Sequence, residues 1–266
     1  MPEGVEIELY RRAMLPCVGR VVATVMTSDQ WYLKGATTQE SLTATCVGAQ
    51  IRELTRTGKL LRIHMTSNSG RSFVLGLRFG MTGRPVINRV AAIDDLLYAS
   101  NDYRTEWVRF AIHFTDATTF EMVDPRRLGG VELDPLERLG PDLSTVTAAQ
   151  LSKAIARSHG PLKAALLHQD RIAGIGNLLA DEILWQCSLA PARSANQLAP
   201  DEVKLLAHTI RTTFRTLLKR GGSHLGEHVE HRNRNGWCPR PDCDGANLTR
   251  TAIGGRTTYW CARHQR

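Results

Sequence analysis

The stretch WCPRPDCDGANLTRTAIGGRTTYWCARHQR, residues 237–266, decides how the rest of the chain is read. Cys238 and Cys243 are separated by four residues, Cys261 and His264 by two, and a 17-residue gap divides the pairs. Thiolates and an imidazole at these knuckle spacings suit a tetrahedral zinc. Four protein ligands leave no open position, so the ion is expected to be structural. About thirty residues bury too little core to fold alone, and a metal supplies the missing stability. Inside the gap, two β-branched and aromatic segments flank Gly254-Gly255, the signature of a tight hairpin. Arg256 then stands at a rigid tip, suited to clamp a phosphate, although a lone Arg is more often plain surface. The other cysteines, Cys17, Cys46 and Cys187, are scattered among apolar neighbours and read as reduced, buried small hydrophobes.

Upstream of the tail lies LLHQDRIAGIGNLLADEILW, residues 166–185. It places a Gly-rich turn between two helical stripes. Gly174 and Gly176 let backbone N–H groups approach a ligand, and Asn177 reads as the N-cap of the second helix. Free amides at a helix start make an anion site that a DNA phosphate would fit; an ordinary helix–turn–helix corner fits the same pattern. The helical pattern extends over TAAQLSKAIARS, GPLKAALLHQ, NLLADEILWQC and PDEVKLLAHTIRTTFRTLLKR. RGGSHLGEHVEHRNRNG reads as a polar loop with solvated histidines. Ahead of the helices, LDPLERLGPDL reads as a linker. Residues 20 to about 133 read as short strands, among them VVATVMT, IRELTR, LLRIHMT, SFVLGLRF, WVRFAIHFT and TTFEMVD, which implies an antiparallel sandwich or barrel. The chain opens on a helix, with Val5, Leu9 and Ala13 four apart and Pro2, Glu3 and Glu6 in its first turn. The fold class is therefore α+β multidomain: an N-terminal β-sandwich with an N-terminal helix over 1–133, a helical domain over 134–234 and a zinc-finger hairpin over 235–266.

The 266 residues carry a formal net charge of +8, and 42% are hydrophobic, enough for a core. Residues 211–266 hold eleven Lys and Arg against four Asp and Glu, whereas the first 210 are nearly balanced. A basic tail is the footprint of a polyanion, most often nucleic acid, and composition alone leaves a solubilising basic face equally open. No apolar run approaches membrane-spanning length, and the start lacks the pattern of a signal peptide, so a cytoplasmic location is expected.

Seven motifs in order then carry a resemblance: PEGVE at 2–6, TGKLLRI at 57–63, LGLRFGMTGR at 75–84, DPRRLGG at 124–130, LGPDL at 139–143, AGIGNLLADEIL at 173–184 and GGRTTYWCARHQ at 254–265. Over nearly its whole length the chain resembles the formamidopyrimidine-DNA glycosylase/endonuclease VIII family. The resemblance implies a helix-two-turn-helix domain between sandwich and zinc finger, with DNA in the cleft between the halves. It also implies a monomeric enzyme that excises a damaged base from double-stranded DNA and nicks the strand at the abasic site. Pro2, freed by removal of Met1, becomes a secondary amine with a useful neutral fraction near neutral pH. It can attack the sugar carbon and form an iminium that permits elimination. Glu3 is the matching general acid/base. Lys59, at a strand turn, matches a phosphate-holding active-site residue, and Glu6 a second carboxylate that helps place the flipped nucleotide. Base flipping leaves a gap that apolar wedges fill. Met81 matches the wedge, Leu128 the second wedge position, and Arg126 the residue facing the orphaned base. Asn177 and Arg256 match phosphate contacts. Without the other motifs, Pro2-Glu3 reads as ordinary helix-start chemistry, Lys59 as a solvated turn residue, Met81 as core and Arg126-Arg127 as a surface pair.

The chain also departs from the family pattern. Arg78 and Trp107 stand where His is common, Leu128 replaces an aromatic, and His264 replaces a fourth Cys. Only sixteen residues separate Arg220 from Trp237, where enzymes acting on 8-oxoguanine carry a longer loop over the flipped purine. Oxidised or ring-opened bases are the expected substrates. Alkylated, bulky or cross-linked bases form one alternative, and a catalytically silent zinc-finger DNA-binding protein the other.

Overall fold

A computed structural model describes residues 2–93 and 102–266. By internal contacts the chain divides into two units. One comprises residues 1–2 and 6–137, the other residues 3–5 and 138–266.

The first unit is a β-sandwich. Its helix α1 (Gly4–Ala13) contributes Ile7 and Tyr10 to the core, and Met14, directly after the helix, joins them. Nine strands follow among the described residues: β1 (Val22–Thr27), β2 (Gln50–Thr57), β3 (Leu60–Thr66), β4 (Ser72–Arg78), β5 (Arg84–Ile87), β6 (Val90–Ala91), β7 (Val108–Phe114), β8 (Thr119–Val123) and β9 (Gly130–Leu133). They form one sheet of order β1-β7-β8-β5-β6 and another of order β2-β3-β4-β9, with every pairing between these strands antiparallel. Alternate residues of both sheets, such as Leu61, Ile63 and Leu75 against Phe110, Ile112 and Phe120, share one buried cluster. One expectation fails here. Within the stretch read as strands lies a helix, α2 (Gln39–Cys46), started by reciprocal hydrogen bonds between Thr38 and Ser41. Leu42 and Cys46, four apart, bury its inner face.

The second unit holds the four expected helices: α3 (Ala148–Ile155), α4 (Leu162–Leu167), α5 (Asn177–Gln186) and α6 (Pro200–Arg220). Thr147 and Gln150 cap α3 reciprocally. Pro200 opens α6, and Gly221, at φ 107°, closes it in the left-handed conformation that glycine adopts freely. The hairpin is β10 (Thr249–Ile253) with β11 (Arg256–Trp260). Its two-residue turn has Gly254 at φ 57° and Gly255 at φ 72°, the turn inferred from the sequence. No helix among the described residues is long and apolar enough to cross a membrane.

Candidate active site and metal centre

Helix α5 begins with N–H groups that have no partner within the helix. The structure gives them one: the N–H groups of Gly176, Leu178 and Leu179 donate to the Glu3 carboxylate at 3.0, 2.9 and 3.0 Å. Glu3 is buried, and Gly4 N–H donates to the Gly174 carbonyl at 2.9 Å. The reason for Gly176 is steric, since a Cβ there would lie 2.2 Å from Glu3 Cδ. This corrects two expectations. The amide nest holds the chain's own carboxylate, not an external phosphate. The cap position belongs to Gly176, and Asn177 is the first helical residue.

The Asn177 amide instead donates to the Thr257 carbonyl at 3.2 Å. That carbonyl also receives Lys163 Nζ at 3.2 Å and an Arg232 N–H at 3.3 Å. Lys163 is fully buried and ion-paired with Asp181 at 2.7 Å; Arg232 pairs with the other Asp181 oxygen at 2.9 Å. Burial pushes the Asp181 carboxyl up and the Lys163 ammonium down, and their mutual attraction opposes both shifts. Asp181 further accepts from Tyr259 N–H, and Lys163 donates to Thr258 Oγ at 2.7 Å. A buried charge cluster thus fixes β11 to α4 and α5. Next to it, Arg256 is exposed, and no hydrogen bond or ion pair among the described residues engages its guanidinium.

The polar loop is not solvated throughout. His228 is fully buried, stacks on Trp185 with ring centroids 5.8 Å apart, and donates from Nε2 to the Tyr259 carbonyl at 2.9 Å. Its backbone N–H donates to Glu182. Burial depresses the His228 pKa to about 4, so the ring is neutral. Residues 226–232 therefore bind hairpin to helix.

Cys238, Cys243, Cys261 and His264 converge, with their ligand atoms all within 4.8 Å of one another. His264 Nδ1 lies 3.3 Å from Cys243 Sγ and 3.7 Å from Cys238 Sγ; the Cys243 and Cys261 sulfurs are 3.8 Å apart. A zinc with bonds of about 2.3 Å to sulfur implies a tetrahedral edge of about 3.8 Å, so the residues fit a metal. The surrounding groups fit it too. His264 Nε2 lies 3.2 Å from the Trp185 carbonyl, which can only accept, so the proton sits on Nε2 and Nδ1 keeps its lone pair. Trp185 Nε1 donates to Cys238 Sγ at 3.2 Å.

In the first unit, Pro2 and Glu6 are buried. Lys59 is half-buried in the two-residue turn joining β2 to β3, where Thr57 pairs with Leu60 and Gly58 has φ 59°. Met81 and the 126–128 loop are brought together by Asp124, a residue the sequence did not single out. Its buried carboxylate accepts from Thr82 Oγ at 2.6 Å and from Gly129 N–H at 2.8 Å. Gly80 packs so closely that an added Cβ would lie 2.4 Å from the Leu128 carbonyl carbon. Arg127 takes a positive φ of 57° and forks onto Asp29 at 2.5 and 2.8 Å. Met81 is half-buried, whereas Arg126 and Leu128 are exposed. Arg78 pairs with Glu132 and Glu137.

With this geometry established, comparison with known proteins defines the class. The formamidopyrimidine-DNA glycosylase N-terminal domain matches residues 1–131, and the H2TH domain of the same glycosylases matches residues 139–228. The chain belongs to the formamidopyrimidine-DNA glycosylase/endonuclease VIII family. It is 29% identical to the formamidopyrimidine-DNA glycosylase of Paracoccus denitrificans, covering 98% of each chain. Against that of Bacillus subtilis it is 26% identical, covering 100% of this chain and 99% of the relative. The Lactococcus lactis Fpg solved with oxidised-pyrimidine DNA superposes with a TM-score of 0.82 at 23% identity, and that solved with N7-benzyl-Fapy-dG DNA with 0.82 at 22%; both cover each chain in full.

Proposed function

We propose that the chain is a DNA glycosylase and abasic-site lyase acting as a monomer on duplex DNA. The observation that carries this reading is the Glu3 carboxylate, held by three N–H groups at the start of α5 and adjacent in sequence to Pro2. A carboxylate fixed there is oriented to exchange protons with a reacting sugar. The neutral Pro2 nitrogen forms a bond to the sugar C1′, the bond from C1′ to the base breaks, and the base departs with that electron pair and gains a proton. After the Pro2 nitrogen loses its proton, its lone pair forms the C1′=N bond as the C1′–O4′ bond breaks, O4′ takes up a proton, and an iminium results. It acidifies the C2′ hydrogen, whose removal expels the 3′ phosphate. Lys59, Arg256 and the second amide hydrogen of Asn177, the one not given to Thr257, hold phosphates, Glu6 supports the flipped nucleotide, and Met81, Leu128 and Arg126 occupy the opened stack. Zinc, bound by the Cys3His set, holds the terminal hairpin and takes no part in the chemistry.

Oxidised or ring-opened bases are the proposed substrates. Alkylated or bulky bases form a second reading, favoured by the commitment of residues 226–232 to the hairpin. Borohydride trapping on abasic DNA tests the enzyme: Met1-processed wild type should give a covalent adduct, and Pro2→Gly and Glu3→Gln should form it more slowly. No adduct with the wild type leaves the silent DNA-binding protein as the correct reading. Release of an alkyl adduct with oxidised pyrimidines untouched selects the second substrate class.

A further inference from the structure

Trp31 is 70% exposed, although the next residue, Tyr32, is fully buried. Exposed together with Leu128 in one groove, the ring forms an apolar patch of the kind that marks a contact surface. Its surroundings are built. Asp29 accepts from Trp31 N–H at 3.1 Å and from the Arg127 fork at 2.5 and 2.8 Å. One nearly buried carboxylate thereby locks the Trp31 turn against the loop of residues 126–128. The result is a shallow groove of about 290 Å³ lined by Trp31, Arg126, Arg127 and Leu128. Leu128 is 50% exposed. Arg127 is used to hold Asp29, whereas no hydrogen bond or ion pair among the described residues holds the exposed Arg126. Lys34 Nζ stands 5.1 Å from the Trp31 ring centroid. The acid nearest the ring is neutralised, and the groove presents an indole face, an aliphatic side chain and uncompensated positive charge.

We infer that Trp31 forms a stacking platform for a nucleobase of the DNA strand that Arg126 faces, with Lys34 meeting its phosphate. An aromatic platform flanked by cations is how proteins take up unstacked bases, because every base offers a π-face and carries a phosphate. The inference rests on the DNA-binding reading above and adds a residue to it: Trp31 holds a base outside the duplex stack, while Met81 and Leu128 fill the stack.

The test is equilibrium binding of the zinc-loaded protein to a duplex carrying a stable abasic analogue, for wild type, Trp31→Ala and Trp31→Phe. Because the ring is exposed, the variants should keep the wild-type melting temperature. Trp31→Ala should bind about tenfold more weakly and Trp31→Phe within a few fold. Single bases are then deleted along the strand opposite the analogue. At one position the deletion should weaken wild type and leave Trp31→Ala unaffected, which places the stacked base by a double-mutant cycle. Wild type that binds the analogue duplex with Trp31→Ala equal to it overturns the inference alone. A Trp31→Ala deficit that every base deletion leaves unchanged also overturns it. Wild type that fails to bind the duplex overturns the DNA reading beneath it.

Discussion

Gly176→Ala is a sensitive probe of the proposed chemistry. Gly176 has φ −120° and ψ −166°, an extended backbone open to any residue, so alanine meets no conformational penalty there. What it meets is Glu3: the new Cβ would lie 2.2 Å from Cδ and 2.4 Å from Oε1. Ordinary contact requires roughly 3.4 Å or more, so the carboxylate must retreat by about 1 Å. A misplacement of that size costs on the order of 100-fold in rate. Loss or stretching of charge-assisted hydrogen bonds should cost about 2–3 kcal/mol of stability, a fall in melting temperature of roughly 5–10 °C for a chain of this size. The assay pairs thermal unfolding with single-turnover trapping on abasic DNA. A Glu3→Ala background supplies the control, since with the carboxylate gone Gly176→Ala should cost only about 1 kcal/mol or less, the ordinary Gly-to-Ala effect at a cap. A Gly176→Ala protein with wild-type trapping rate and wild-type melting temperature would refute the argument, because the carboxylate would then not depend on the nest.

Lys163→Met leaves Asp181 buried with Arg232 as its remaining cation, and should destabilise the protein by about 3–5 kcal/mol in denaturant unfolding, with Arg256-dependent DNA affinity falling as well. His228 has a folded pKa of about 4 against an ordinary 6.5. The unfolded chain therefore binds the extra proton first as pH falls; the stabilisation is complete above about 6.5 and is lost between there and about 4. The loss amounts to roughly 3 kcal/mol at most, and His228→Gln should flatten that part of the stability–pH curve. Arg256→Ala should weaken DNA binding uniformly across sequences and reduce the slope of log affinity against log salt by about 1; an unchanged slope would show that Arg256 meets no phosphate.

What the sequence revealed follows how local each signal is. The α6 stripe, the Gly254-Gly255 turn and the Cys3His spacing are each written in adjacent residues. The structure shows the turn and gathers the four ligand atoms. Helix α2 was hidden because eight residues rich in Thr and Ser show only two buried apolar positions. The partner of α5's amides was hidden for another reason. Glu3 lies more than 170 residues away from Leu178, and nothing near GIGN states that its anion comes from within. The loop of residues 220–236 misled by composition, since His, Arg and Glu imply solvent. In place, His228, Arg232 and Glu182 satisfy one another's neighbours and become core. Ion pairs spend part of the basic tail: Arg220, Arg232, Arg240 and Arg263 each face a carboxylate, which for Arg232 is shared with Lys163, so the charge available to DNA is smaller than the composition suggests.

The bond between Glu3 and the start of α5 also sets an order of assembly. Glu3 precedes every strand of the sandwich in sequence, yet the amides that orient it belong to residues 176–179. A chain folded only as far as its sandwich lacks the donors that orient the Glu3 carboxylate. The carboxylate is oriented only once α5 has formed, so under the proposed chemistry a polypeptide that ends before α5 should not cut DNA.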